Sequence, residues 1–321
     1  MHQKIAIIDA GGTISATSGP DGAFRSAGGI GQTLNLLPRT IGERCEIHAT
    51  GTGLSENLSL ADARRIVAMI EAQAAREDVH AVVVAHGTDT MEEVFFMAQL
   101  LLRTTKPVIF TGAQRTPEHS GFDGVTNLRD AIVVARHHAA HGAGVLVVFG
   151  GWILPAWRCS KIHTRSLAAF GPHSIAVGTV DAAGAHIDRI ESACPKIACE
   201  TPDEEVELLL VGLGTSGRTL ERLAQPPVRG VVLQGLGMGN VSEDMLEAAR
   251  HVLVRGVLLA VAASAEGGAG TAYGSAADLE RAGACFAGSL SARKMRILMA
   301  CVLGGRSGSE ASAMLQTLSL A

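Results

Sequence analysis

Two threonines, a carboxylate and a lysine stand where an alternating strand–helix chain collects its reactive groups. After the apolar run Lys4–Asp9 comes Ala10-Gly11-Gly12-Thr13-Ile14. After the β-branched run Val79–Ala85 comes His86-Gly87-Thr88-Asp89-Thr90-Met91-Glu92-Glu93. Pro107–Thr111 leads into Gly112-Ala113-Gln114-Arg115, and a loop beyond Gly144–Phe149 leads to Ser160-Lys161. A hydroxyl is inert at neutral pH unless a base takes its proton, and a desolvated lysine can do so. Thr13, Thr88, Asp89 and Lys161 therefore have the types of a nucleophile and its relay. Glycine beside each threonine lets backbone N–H groups approach a developing oxyanion. The same residues have a plainer use, since Gly-Thr-Asp-Thr ahead of a helix is a good N-cap. Two glycine–threonine loops, both at strand ends, favour a site over a pair of caps.

The elements that must position these groups read as an α/β chain. Ser59 with Asp62 predicts a helix start, and Ala63, Ile66, Val67, Ile70 and Ala74 then share one helical face. Met91–Arg103 and Asn127–His141 also read as helices, and Ser15–Gly31, rich in Gly and Ser, as a mobile loop. Near-continuous apolar strands between helices predict a parallel sheet covered on both faces. From about Ile187 to Glu205 the chain turns polar and acidic, with Pro195 and Pro202, which marks a linker. Residues 1–190 are thus expected as an N-terminal α/β domain, 191–206 as the linker and 207–321 as a C-terminal α/β domain. In the latter, Glu207–Val211, Val231–Gln234 and Val257–Ala263 read as strands. Glu243–Arg255, Ala292–Leu303 and Glu310–Leu318 read as helices, with Ser242 and Ser291 as N-caps.

Composition excludes several classes. At 47% hydrophobic and 18% charged, the 321-residue chain buries a core and is not a disordered polymer. Lys+Arg number 27 against 31 Asp+Glu and do not cluster, so a nucleic-acid partner has no electrostatic footprint. No stretch of 18 apolar residues predicts a membrane span, and the apolar start reads as a first strand rather than a secretory leader, which predicts a cytoplasmic protein. Six cysteines without a C-x-x-C pair read as reduced thiols. The 12 histidines show no H-E-x-x-H, and no G-x-S-x-G occurs, so neither a metal centre nor a serine elbow is expected. Gly212-Leu213-Gly214-Thr215-Ser216-Gly217 has the form of a dinucleotide fingerprint. It lacks the acidic residue about 20 positions on, and is read as a tight strand-to-helix turn.

Together the motifs resemble the bacterial-type L-asparaginases and glutaminase-asparaginases. Asp9-Ala10-Gly11-Gly12-Thr13-Ile14-Ser15 is similar to that family's T-G-G-T-I-A, and His86–Glu93 to its H-G-T-D-T-x-E-E/T. Thr111–Arg115 resembles its G-A-x-R turn, Asp123-Gly124 with Asn127-Leu128 its D-G-x-x-N-L, and Ser160-Lys161 with Thr164 its T-K-x-x-T. Gly237-Met238-Gly239-Asn240 resembles its C-terminal G-x-G-N. The resemblance implies a larger Rossmann-like N-terminal domain and a smaller C-terminal one. It implies hydrolysis of L-asparagine to L-aspartate and ammonia, with L-glutamine as a secondary substrate and no cofactor or metal. Thr13 takes the place of the nucleophile, and Thr88, Asp89 and Lys161 that of the Thr-Asp-Lys group. Ser55 and Glu56 match the pair that holds the substrate's α-carboxylate and α-amino ends, and Ala113 offers its backbone at the side-chain amide. Asn240 matches an asparagine supplied by a partner subunit, which implies a homodimer or homotetramer with sites near the dimer interface.

The chain departs from the family pattern at the lid. Members usually carry a tyrosine in the loop after the nucleophile, whereas the one tyrosine here is Tyr273. Phe24 and Arg25 sit near the expected position and are the expected closing residues. Glu266 is a weak counterpart of an acidic residue that some members supply across the interface, and an arginine usual before the lysine segment is shifted to Arg158. A non-catalytic or weakly active amino-acid-binding homologue is the rival reading.

Overall fold

The computed structural model describes residues 4–18, 24–26, 29–188, 190 and 194–318. It divides into two compact units, Met1–Lys196 and Ile197–Ala321.

The N-terminal unit opens with β1 (Lys4–Ala10), a short hairpin of β2 (Ala16–Ser18) and β3 (Phe24–Ser26), and two short helices, α1 (Ile30–Asn35) and α2 (Arg39–Gly42). It continues through β4 (Cys45–Ala49), α3 (Leu60–Ala75), β5 (Val79–His86), α4 (Met91–Leu101), β6 (Val108–Thr111), α5 (Gly124–Ala135) and β7 (Val145–Phe149). Shorter strands follow: β8 (Trp152–Pro155), β9 (Ser160–Lys161), β10 (Phe170–Gly171), β11 (Gly178–Val180) and β12 (Ala185–Ile187). Eight of these form one sheet in the order β12-β11-β8-β7-β6-β5-β1-β4.

From β7 to β4 the sheet is parallel, as the apolar runs predict for β1, β5, β6 and β7, and β4 adds a parallel strand that no apolar run announces. The far flank corrects that expectation, because β8, β11 and β12 each run antiparallel to their neighbour. The turn responsible is Gly150-Gly151, with φ of 58° and 79°, which sets Phe149 opposite Trp152. Two residues at positive φ are the requirement of a tight hairpin, and Gly-Gly meets it. Ser15–Gly31 is also corrected from an unstructured loop: Ala16 pairs with Ser26 and Thr17 with Arg25 across β2 and β3.

Local chemistry explains the helices. Ser59 accepts from the Asp62 N–H while the Asp62 carboxylate accepts from the Ser59 N–H, a reciprocal cap of two orphan donors. α3 then buries Ala63, Ile66, Val67, Ile70 and Ala74, the face predicted from spacing. The helix expected over Asn127–His141 instead runs Gly124–Ala135, followed by a single 3-10 turn at His138–Ala140.

The C-terminal unit holds β13 (Val206–Leu210), α6 (Gly217–Leu223), β14 (Gly230–Gln234), α7 (Glu243–Val254), β15 (Leu258–Ala262), α8 (Gly274–Ala282), β16 (Cys285–Phe286), α9 (Ala292–Leu303) and α10 (Gly308–Thr317). Its four strands form a parallel sheet in chain order. Ser242 and Ser291 cap α7 and α9 through their hydroxyls. In the glycine-rich turn after β13, the Gly217 N–H donates to the Asp244 carboxylate at 2.7 Å. A Cβ at Gly217 would lie 2.3 Å from the Asp244 carbonyl oxygen. The N-terminus of α6 is thus already occupied by an internal anion and pressed against α7, the arrangement of a packing turn. Among the described residues no helix is long and apolar enough to cross a membrane.

Two buried groups of the N-terminal unit oppose each other in their effect on stability. Burial drives His86 from the ordinary 6.5 down to about 4, so the fold holds it neutral while the unfolded chain protonates it. Its contribution is present above pH 6.5 and lost as pH falls through about 4. Burial drives Asp130 up from 3.8 to about 6 against the pull of Arg129, so its contribution is present at low pH and lost as pH rises through about 6. The two slopes offset each other across that window. Asp130→Asn removes one of them. Urea unfolding from pH 7 to pH 4 is expected to show the variant losing about 3 kcal/mol more than the native protein. Parallel pH curves would refute this pairing.

Candidate active site

The carboxyl ends of β1, β5 and β6 converge. Beyond β1 the chain makes a turn in which Gly11 and Gly12 have φ of 77° and 84°, and Thr13 begins a single 3-10 turn, Thr13–Ser15, half-buried. A Cβ on Gly12 would fall 2.1 Å from the Cα of Gly87, and one on Gly87 would fall 2.5 Å from Ser55 Oγ. The loops carrying Thr13 and Thr88 therefore touch backbone to backbone, and the Ser55 side chain presses on the Gly87 backbone, a closeness only glycine permits. Ser55 is 3% exposed in the 3-10 turn Ser55–Asn57, and Glu56 beside it is exposed. Ala113 is buried on the third loop; a Cβ on Gly112 would lie 3.5 Å from Thr88 Cγ2.

Helix α4 begins without a side-chain cap. The capping use of Gly-Thr-Asp-Thr is thereby overturned, and each hydroxyl or carboxylate is engaged elsewhere. Thr90 Oγ1 donates to the Ser55 carbonyl at 2.9 Å, which ties the Ser55 turn to the Thr88 loop. Lys161 Nζ donates to Thr88 Oγ1 and to Asp89 Oδ1, both at 2.8 Å. The Lys161 side chain is 13% exposed and that of Asp89 66%, so the ion pair sits half in solvent and contributes little to stability.

Two anchors set Lys161 in place. Ser160 Oγ and the Lys161 N–H donate to the two oxygens of Glu92, at 3.0 and 3.2 Å. Across the short β9–β10 ladder Lys161 pairs with Phe170. Phe170 is buried with its ring centroid 5.1 Å from Phe149 and 6.3 Å from Phe95. The lysine is thus carried on a two-residue strand nailed into the aromatic core.

Gln114 and Glu92 were not singled out as functional from the sequence. Thr88 Oγ1 donates to Gln114 Oε1 at 3.4 Å, and Gln114 Nε2 donates to the carbonyls of Ser166 at 3.2 Å and His163 at 3.4 Å. Gln114 so links Thr88 to the segment beyond Lys161. A neutral amide between two structureless runs leaves no signal in spacing, and an acid in the first helical turn reads as a partner of the helix dipole. Gln114 and Arg115 are held by their N–H groups on the Asp123 carboxylate, and Asn127 Nδ2 donates to Asp123 and to the Gly112 carbonyl.

Asn240 belongs to the C-terminal unit. There it closes the turn after β14, its N–H donating to the Leu236 carbonyl at 2.8 Å and its Oδ1 accepting from Ser275 at 3.4 Å. Glu266 and Tyr273 are exposed residues of that same unit. Arg158 is exposed on the turn after β8. The side chains of Phe24 and Arg25, the expected closing residues, lie outside the described structure.

Comparison with known proteins agrees across the chain. Residues 4–192 match the family described as asparaginase, N-terminal, and residues 205–314 the glutaminase/asparaginase C-terminal domain. A probable L-asparaginase of Deinococcus radiodurans is 35% identical over 317 residues, covering 94% of this chain and 92% of its own. An L-asparaginase of Bacillus licheniformis is 28% identical, covering 94% and 96%. A solved probable cytoplasmic L-asparaginase from Campylobacter jejuni is 22% identical and shares the fold, with a TM-score of 0.84 over 98% of this chain and 100% of that one. The chain belongs to the asparaginase family and carries both of its domains.

Proposed function

We propose that this protein hydrolyses the side-chain amide of L-asparagine to L-aspartate and ammonia, with L-glutamine as a secondary substrate. The observation that carries the reading is the contact of Lys161 with Thr88 and Asp89, both at 2.8 Å, at the strand ends of a family member. A threonine oxygen, on Thr13 or Thr88, attacks the amide carbon. Lys161, once neutral, takes the hydroxyl proton and passes it to the amide nitrogen, which leaves as ammonia while the acyl group stays on the threonine. Water then cleaves the acyl-threonine and restores the hydroxyl. Backbone N–H groups of the glycine loops, including that of Ala113, face the developing oxyanion. Ser55 and Glu56 hold the α-carboxylate and α-amino ends.

Asn240 completes the pocket from a partner subunit in a homodimer or homotetramer. The names of the Deinococcus and Bacillus relatives support the substrate. That of the Campylobacter protein goes with cytoplasmic placement.

Ammonia release from each amide tests the proposal. L-asparagine is expected to exceed L-glutamine in kcat/KM by about tenfold or more, the scale of one methylene in a fitted pocket. Tight L-aspartate binding with no ammonia from either amide would support the binding homologue instead.

A further inference from the structure

We propose that Asp9 is the positioning residue that holds the Thr13 turn in its reactive shape. This rests on the reading of Thr13 as part of the reacting machinery. Asp9 is 4% exposed at the end of β1. Its Oδ1 accepts from the Gly11 N–H at 3.0 Å and from Ser15 Oγ at 2.8 Å. Those two donors lie on either side of Thr13, so one oxygen clamps both ends of the turn. The main chain of Asp9 is itself fixed. It pairs with Ala49 on one side and Ala85 on the other, and its carbonyl accepts from the Thr50 N–H at 3.0 Å and Thr50 Oγ1 at 3.1 Å. The far end of the turn is held in turn by Gly29 N–H on the Ser15 carbonyl and by Thr33 Oγ1 on that of Ile14.

Asp9 Oδ2 is buried and meets no hydrogen-bond partner among the described residues. A buried carboxylate with one oxygen unpartnered costs stability, and the two bonds made by the other oxygen are what offset that cost. Its retention fits a task, and the bonds assign that task to Oδ1. Gly11 and Gly12 leave the backbone of the turn with wide freedom, so a clamp from outside the turn must supply its order.

The prediction separates the oxygen from the charge. Asp9→Asn keeps an acceptor at Oδ1 and places its amide nitrogen where Oδ2 finds no partner. It is expected to hold kcat for L-asparagine within about threefold of native. Asp9→Ala releases both ends and is expected to lower kcat by about 10²-fold, the scale of a misplaced reacting group, while L-aspartate affinity changes by less than about threefold. Ser15→Ala removes one of the two bonds and should fall between; it also serves if Asp9→Ala fails to fold. Native-like kcat in Asp9→Ala, or in Ser15→Ala should the former not fold, would overturn the proposal. So would a loss in Asp9→Asn as deep as that in Asp9→Ala, because the charge would then be what matters. Thr13→Ala is assayed beside them. Full activity in that variant would sink the threonine reading itself, whereas an inactive Thr13→Ala with an active Asp9→Ala sinks the clamp alone.

Discussion

Thr13→Ala and Thr88→Ala are each expected to lower kcat for L-asparagine on the order of 10³-fold or more, with circular dichroism unchanged. Loss of a group that forms the covalent bond, or that passes its proton, removes stabilisation made only in the transition state. The two hydroxyls have different surroundings. Thr88 is nearly buried and fully engaged, accepting from Lys161 and donating to Gln114. Thr13 is half-buried on a glycine turn pressed against the Thr88 loop. Each change removes one hydroxyl and one methyl and opens no large cavity, so the fold is expected to survive both. Activity within tenfold of native in both variants would end the threonine mechanism.

Lys161→Met should lower kcat by about 10²- to 10⁴-fold while leaving L-aspartate affinity near native, the range expected for a lost acid–base group. The substitution is clean because the backbone at Lys161 is held by Glu92 and by the pairing with Phe170, neither of which uses the ammonium. Asp89, left without its partner, is mostly exposed and costs the fold little. Lys161→Arg supplies the sharper test. A guanidinium can still pair with Asp89 but cannot become neutral to receive a proton. The arginine variant is therefore expected to be nearly as impaired as the methionine one. An arginine variant with native kcat would show that the cation acts by charge alone.

Strands β1, β5, β6 and β7 and the loops at their ends were legible because each is a buried apolar run and each loop opens on glycine, whereas β4, partly exposed and with Ile47 as its one β-branched residue, was not. The reciprocal cap of α3 was legible from Ser59 and Asp62 alone. The antiparallel flank was not, since β8, β11 and β12 are three or four residues long and too short to show a period. The Gly150-Gly151 pair was the available signal for the first of those hairpins. The β2–β3 hairpin was hidden by a composition of Gly and Ser that reads as loop whichever way it pairs. Glu92 and Gln114 escaped because the side-chain partners of the first lie 68 and 69 residues away and those of the second 26, 49 and 52. Spacing along the chain carries no trace of such contacts.

Thr88, Asp89 and Glu92 lie within a single stretch of eight residues, from His86 to Glu93, and that stretch grips Lys161 at both its backbone and its ammonium. In the language of machining, the lysine is dimensioned twice from one datum. A displacement of that stretch carries both grips with it, so the 2.8 Å gap between Lys161 and Thr88 does not accumulate the errors of the sheet beneath it. Breathing of the strands, or drift of surface loops during evolution, moves the assembly as a block. The tolerance of the Lys161–Thr88 distance is then set by three local bonds rather than by the rigidity of the whole domain.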